Sequence, residues 1–281
     1  MSSSIVISSE RTDLIGANHR AVIYEPETPK LNLPPFLAVH GMWATDLRWE
    51  KFGRLFSQRG FRFVAPSFRY HHPGNQTIKA LGETSVLDYV DDMIDLIKKL
   101  NLGLPIIIGH SMGGLVALKL AEEGFASKLI LINSAPPAGI NLHADWRYQL
   151  AVLRYLPKIL LQKSFRPNLR LASYYIMNRM PKERWPELYQ GMVHESGRAA
   201  WEIKTGKITI DFNKITCPAL VIGCGEDLIV RPEVASDIYH NLLSLRSLKI
   251  YRHNGHWPQV EYQWEDVAEN ILQWLAFNIL L

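Results

Sequence analysis

The chain has 281 residues, 47% of them hydrophobic and 21% charged, with a mean hydropathy of -0.05. Those values exclude wholesale disorder and fibrous repeats, and they leave enough chain to bury a sizeable core in one large domain or two small ones. The 31 Lys/Arg against 27 Asp/Glu give a net charge of +4 without a contiguous basic stripe, which argues against a nucleic-acid binder.

The amino terminus, Met1-Ser-Ser-Ser-Ile-Val-Ile-Ser-Ser-Glu10, lacks a basic stretch and a long apolar stretch, so no signal peptide is expected. No window approaches the roughly 18 consecutive apolar residues of a membrane span. Short apolar runs then recur: Phe36–Val39, Phe61–Ala65, Ile106–Ile108, Leu129–Ile132, Leu220–Ile222 and Leu248–Tyr251. Several carry no polar alternation, the mark of strands covered on both faces. Helical stretches separate them, best seen at Leu87–Leu100. There Leu87, Val90, Ile94 and Ile97 form one stripe, with Asp91, Asp92, Asp95 and Lys98 off it. Strand alternating with helix predicts an α/β protein with a mainly parallel sheet. Cys217 and Cys224, seven apart in what reads as one strand, would face opposite sides of it, so no disulfide is expected. Reduced thiols and the absence of a leader predict a soluble, cytoplasmic protein.

One stretch breaks the alternation. From Pro137 to Asn213 the pattern is helical and rich in Trp, Tyr, Arg and Lys, with twelve basic against six acidic residues. It lies between two core strands, so it is an insertion rather than an appended domain. The core is then 1–136 and 214–281, with 137–213 set into it.

The chemistry gathers around Gly109-His-Ser-Met-Gly113, a G-x-S-x-G run that follows an apolar strand and opens a helix. So tight a turn strains the serine backbone and needs small neighbours; it exposes the hydroxyl at the positive end of a helix. A nucleophilic serine needs a base, and the base needs an orienting carboxylate. Glu226 and Asp227 follow one late strand, and His253 and His256 follow the last. Sites in open α/β sheets form at that edge. His71 and His72, followed by Pro73 and Gly74, read as a loop; no carboxylate or cysteine stands at ligand spacing, so no metal site is expected.

These blocks resemble the α/β-hydrolase superfamily, in particular its lid-bearing serine esterase and lipase-like branch. The resemblance rests on His40-Gly-Met-Trp43, Gly109-His-Ser-Met-Gly-Gly114, and the pair Gly225-Glu-Asp227 with Gly255-His-Trp-Pro258. It implies a twisted, mainly parallel sheet flanked by helices, with a helical lid inserted between late core strands. Carried over position by position, Ser111 resembles the nucleophile, Asp227 the acid and His256 the base. The backbone N–H groups of Met42 and Met112 would form the oxyanion hole. Ser67-Phe-Arg-Tyr-His-His-Pro-Gly74 departs from the D-x-R-G-x-G turn of many relatives, keeping only Arg69 and the late glycine. A serine at this position argues against dehalogenase and epoxide hydrolase chemistry, which needs a carboxylate nucleophile. It suits hydrolysis of a hydrophobic ester or thioester, without a cofactor. C–C bond hydrolysis, lyase or acyltransferase chemistry uses the same triad, and a non-catalytic binding protein on this scaffold is a further alternative.

Trp43, His110, Trp146, Leu150 and Trp257 are the expected pocket residues, with His110 packed beneath the serine turn. In the insertion, Trp146, Leu150 and Leu153 share one helical stripe, which either caps the core beneath a solvated basic surface or roofs a hydrophobic acyl or aromatic pocket. The basic residues beside it would attract an anionic substrate or touch an anionic membrane surface. The partners expected are therefore a small hydrophobic substrate and, peripherally, a membrane; the chain is expected to be a monomer or homodimer.

Overall fold

Burial on both faces decides the sheet. The computed structural model describes residues 10–14, 20–28, 33–72 and 78–279. The strands among them are β1 (Glu10–Leu14), β2 (Arg20–Tyr24), β3 (Phe36–Val39), β4 (Phe63–Ser67), β5 (Ile106–His110), β6 (Lys128–Ile132), β7 (Ala219–Cys224) and β8 (Arg246–Tyr251). They form one sheet in the order β1-β2-β4-β3-β5-β6-β7-β8. The pairs from β4 to β8 are parallel, while β1–β2 and β2–β4 are antiparallel. The amino-terminal residues 1–9, and Pro73 and Gly74 of the histidine loop, lie outside the described residues.

Side chains alternate between two cores. Leu37, Ile107, Leu131 and Val221 face one, and Phe36, Ile108, Ile130 and Ile222 face the other. Both sets are apolar because helices cover both sides. The helices are α1 (Glu50–Gln58), α2 (Lys79–Gly82), α3 (Val86–Lys99), α4 (Met112–Glu122), α5 (Trp146–Leu153), α6 (Leu156–Leu160), α7 (Leu169–Tyr175), α8 (Trp185–Gln190), α9 (Gly197–Lys204), α10 (Pro232–Asn241) and α11 (Trp264–Ile279). Phe52 and Phe56 of α1 and Val267 and Ile271 of α11 pack on one face. The other face receives α3, α4 and α10. No helix among the described residues is long and apolar enough to cross a membrane.

Helix α3 corrects its predicted stripe. Its buried face is widened by Tyr89, Met93 and Leu96, so Leu87 falls off the edge and is exposed. Asp92 is buried instead, because Arg69 pairs with it from the loop after β4, donating from Nε to Oδ2 at 2.7 Å. The cysteines also differ. Cys217 lies before β7 rather than in it, and Cys224 ends that strand; both are free thiols. Burial pushes the Cys217 thiol up to about 11 and raises the Cys224 thiol as well, so neither is a ready nucleophile.

Helices α5 to α9 all lie between β6 and β7, within the stretch 137–213. Its extended segments pair only through an isolated bridge, Phe165 to Glu195. The second half is bound tightly to the core. Glu202 of α9 accepts from the Ser85 hydroxyl at 2.8 Å and the Val86 N–H at 2.9 Å, at the start of α3.

Candidate active site

Ser111 occupies the turn from β5 into α4 with φ 53° and ψ -124°, a region a residue with a side chain rarely adopts. The surroundings enforce it. Its N–H donates to Ile132 O at 3.1 Å, and its carbonyl accepts from Gly114 N–H at 2.8 Å and Ala135 N–H at 2.9 Å. A Cβ at Gly113 would stand 2.3 Å from Val39 O, and one at Gly109 2.3 Å from Gly113 O. The spacing of the two glycines is thus a demand for space beneath the serine.

Asp227 and His256 approach the same end of the sheet. His256 Nδ1 and Asp227 Oδ2 are 2.7 Å apart, and Asp227 is fully buried. The other carboxylate oxygen of Asp227 accepts from Ile229 N–H at 2.8 Å and Val230 N–H at 3.0 Å. Glu226 turns outward to Arg179 at 3.1 Å, and His253 is 80% exposed, so neither alternative stands at the site. His256 lies beside the elbow: His110 Nε2 donates to its carbonyl at 2.7 Å, and the two rings are 4.8 Å apart. Burial, reinforced by His256, holds the His110 imidazole well below its ordinary value, which keeps it neutral in this role. No hydrogen bond joins the Ser111 hydroxyl to His256 among the described residues.

Two residues that the sequence did not mark secure the His256 loop. Asn133, just past β6, donates to Gly255 O at 3.0 Å and His256 O at 3.3 Å. Glu261 accepts from Gly255 N–H at 3.0 Å, Asn254 Nδ2 at 3.1 Å and Trp257 N–H at 3.2 Å. Asn133 stands where a strand ends at the functional edge, a positional signal; Glu261 carries none.

The loop after β3 faces Ser111 closely. A Cβ on Gly41 would lie 2.8 Å from Ser111 Cβ. His40 braces this loop: Phe68 N–H donates to its Nε2 at 3.0 Å, which leaves Nδ1–H to donate to Gly41 O at 2.8 Å. Burial keeps His40 well below its ordinary value, matching that neutral tautomer. The N–H groups of Met42 and Met112 have no protein acceptor among the described residues. Both residues border the cavity beside Ser111.

That cavity has a volume of about 370 Å³. Trp43 lines it, with Tyr148, Val152, Phe165, Ile203 and Ile229 among its other walls. Four expected pocket residues do not. Trp146 and Leu150 are 62% and 56% exposed, because α5 turns Tyr148 and Val152 inward and its predicted stripe outward. Trp257 is buried under Arg48, whose guanidinium sits 4.3 Å from its ring. His110 is held below the elbow by its bond to His256 O.

The insertion also grips the loop that carries Met42 and Trp43. Val193 N–H donates to Trp43 O at 3.0 Å, and Arg48 Nη2 donates to Leu188 O at 3.1 Å. Nearby, Glu195 is fully buried and bound to His71 Nε2 at 2.9 Å, Tyr89 Oη at 2.7 Å and Ser196 N–H at 2.7 Å. A carboxylate thus does accompany His71, from far along the chain, but no group of three metal-ligating side chains forms among the described residues.

The fold and this constellation define an α/β enzyme scaffold with a serine elbow. The model of the alpha/beta hydrolase family matches residues 36–270, and the chain belongs to that family. An uncharacterized protein of Mycobacterium tuberculosis is 30% identical over 122 residues, 43% of this chain. The match covers 34% of that relative's length. An esterase from Exiguobacterium antarcticum is similar with a TM-score of 0.68 at 17% identity, over 92% of this chain and 96% of that one. A thermophilic esterase from Thermogutta terrifontis is similar with a TM-score of 0.66 at 21% identity, over 96% and 98% of the two chains. At these identities the likeness is one of fold.

Proposed function

We propose that the chain hydrolyses a carboxylic ester or thioester of a small to medium apolar acyl group, through an acyl-enzyme on Ser111. The supporting observation is the coincidence of three features: the serine elbow, the Asp227–His256 pair at 2.7 Å, and the cavity of about 370 Å³ bordered by Ser111. The volume lies toward the small end of ordinary ligand sites, roughly 300–1,000 Å³.

In this reading the Ser111 oxygen attacks the substrate carbonyl carbon as His256 Nε2 takes its proton. Asp227 fixes His256 through Nδ1–H and stabilises the imidazolium. The N–H groups of Met42 and Met112 receive the oxyanion. Collapse breaks the bond to the leaving oxygen or sulfur, which takes the proton from His256. Water then attacks the acyl-enzyme with His256 as base, releasing the acid and restoring Ser111. Residues 137–213 act as the lid over the core of 1–136 and 214–281, with Tyr148, Val152 and Ile203 shaping the acyl pocket.

Replacing Ser111 with Ala is expected to lower kcat on a short p-nitrophenyl ester by at least about 10³-fold while the melting temperature is kept. A variant that retained its rate would overturn the assignment.

A further inference from the structure

The stripe expected to cap the core or roof a pocket faces the other way. Trp146, Leu150 and Leu153 of α5 stand exposed, and so do Leu169 and Tyr174 on α7. The two helices lie side by side: the Tyr148 and Tyr175 rings are 5.0 Å apart, and Leu150, Arg154, Arg170 and Tyr174 border one outer groove. Large apolar side chains left in water, three of them on one stripe of α5, call for a partner.

The charge around them says which. From Arg147 to Lys182 the chain holds eight basic residues and no acidic one. Arg147 lies 5.2 Å above the Trp146 ring, and Arg154 and Arg170 border the groove itself. A second copy of the chain is disfavoured, since it would set cations against cations. Leucine, Trp and Tyr side chains interleaved with arginines match a surface whose outer layer is anionic and whose interior is apolar.

We infer that the outer face of α5 and α7 is a docking surface for an anionic lipid bilayer. Trp146, Leu150 and Leu153 enter the headgroup region, while Arg147, Arg154 and Arg170 meet lipid phosphates. Leu171 borders both the outer groove and the cavity beside Ser111, so a seated lid sets that cavity one side chain from the lipid. The docking claim does not rest on the esterase reading, because its test measures binding.

The experiment is co-sedimentation of the full chain with phosphatidylcholine vesicles, with and without phosphatidylglycerol, at low and high salt. Binding is expected on the anionic vesicles, weak on the neutral ones, and reduced by salt. The pair Arg147→Glu with Arg170→Glu should lower the partition coefficient by more than about tenfold, as should Leu150→Glu with Leu153→Glu. Thermal melts that match the wild type show these variants to be folded; if either pair unfolds, Arg170→Gln and Leu150→Ser replace it, with the same direction of loss. Equal binding to neutral and anionic vesicles would overturn the inference, as would binding that both variant pairs leave unchanged. A dimer in sedimentation velocity without vesicles, dissolved by Leu150→Glu with Leu153→Glu, would also overturn it in favour of self-association.

Discussion

Replacing Glu195 with Ala strikes the joint between the insertion and the core. Glu195 and His71 are both fully buried and 2.9 Å apart, and the same carboxylate accepts from Tyr89 Oη and Ser196 N–H, each at 2.7 Å. The change leaves a buried imidazole, a phenol and a backbone N–H without their acceptor at once. Removing one partner of such a pair costs about 3–5 kcal/mol. At about 2–3 °C per kcal/mol for a chain of this size, the melting temperature should fall by roughly 6–15 °C. The pH dependence has a definite sign. Burial alone lowers His71, but Glu195, helped by the bond that His71 Nδ1–H donates to Arg69 O, outweighs it and raises the imidazole above its ordinary value. Of the other titratable groups facing it, burial holds His40 well below and Tyr89 well above their ordinary values. A raised folded value contributes stability that is complete below about pH 6.5 and is lost as pH rises through the folded value. Calorimetric scans of wild type and variant at about pH 6 and about pH 9 should show the wider gap at the lower pH. A variant melting within about 2 °C of the wild type, or a gap that widens with pH, would refute the reasoning.

Two further outcomes concern the site. Asp227→Asn should lower kcat by about 10³–10⁴-fold on a soluble ester, whereas Glu226→Gln, which touches only the outward contacts to Arg179 and His253, should stay within about threefold of wild type. Equal losses from the two would contradict the assignment of the acid. Ile203→Trp fills the cavity wall, so kcat/KM across a series of p-nitrophenyl esters should shift toward shorter acyl chains. An unchanged chain-length profile would place the acyl group elsewhere.

The central sheet was legible because five of its strands, β3 to β7, are buried on both faces along nearly their whole length, whereas β8 was read from the short run Leu248–Tyr251 and is only partly buried. Strand β2 carried a similar signal in Ala21-Val-Ile-Tyr24, all buried, while the polar β1 is a strand only through its pairing with β2. The serine elbow was legible because a tight turn needs glycines, and strand ends drew attention to Glu226, Asp227, His253 and His256; the choice of Asp227 and His256 among them came from the family resemblance. Tertiary partners were not. Asp92 reads as solvated until Arg69 is brought to it, and Glu195 has no local pattern tying it to His71. Helix α5 shows the limit of periodicity. Its apolar residues occupy more than one face, and the stripe of Trp146, Leu150 and Leu153 competes with that of Tyr148, Val152 and Tyr155. Spacing cannot say which of two such faces meets the core.

The central claim is that Ser111 is an activated nucleophile. A fluorophosphonate probe followed by peptide mass spectrometry tests it most directly. One adduct is expected, on Ser111, that forms rapidly in the wild type, slows by orders of magnitude in His256→Ala, and is missing in Ser111→Ala. Labelling of another residue, or none in a protein that melts normally, would contradict it.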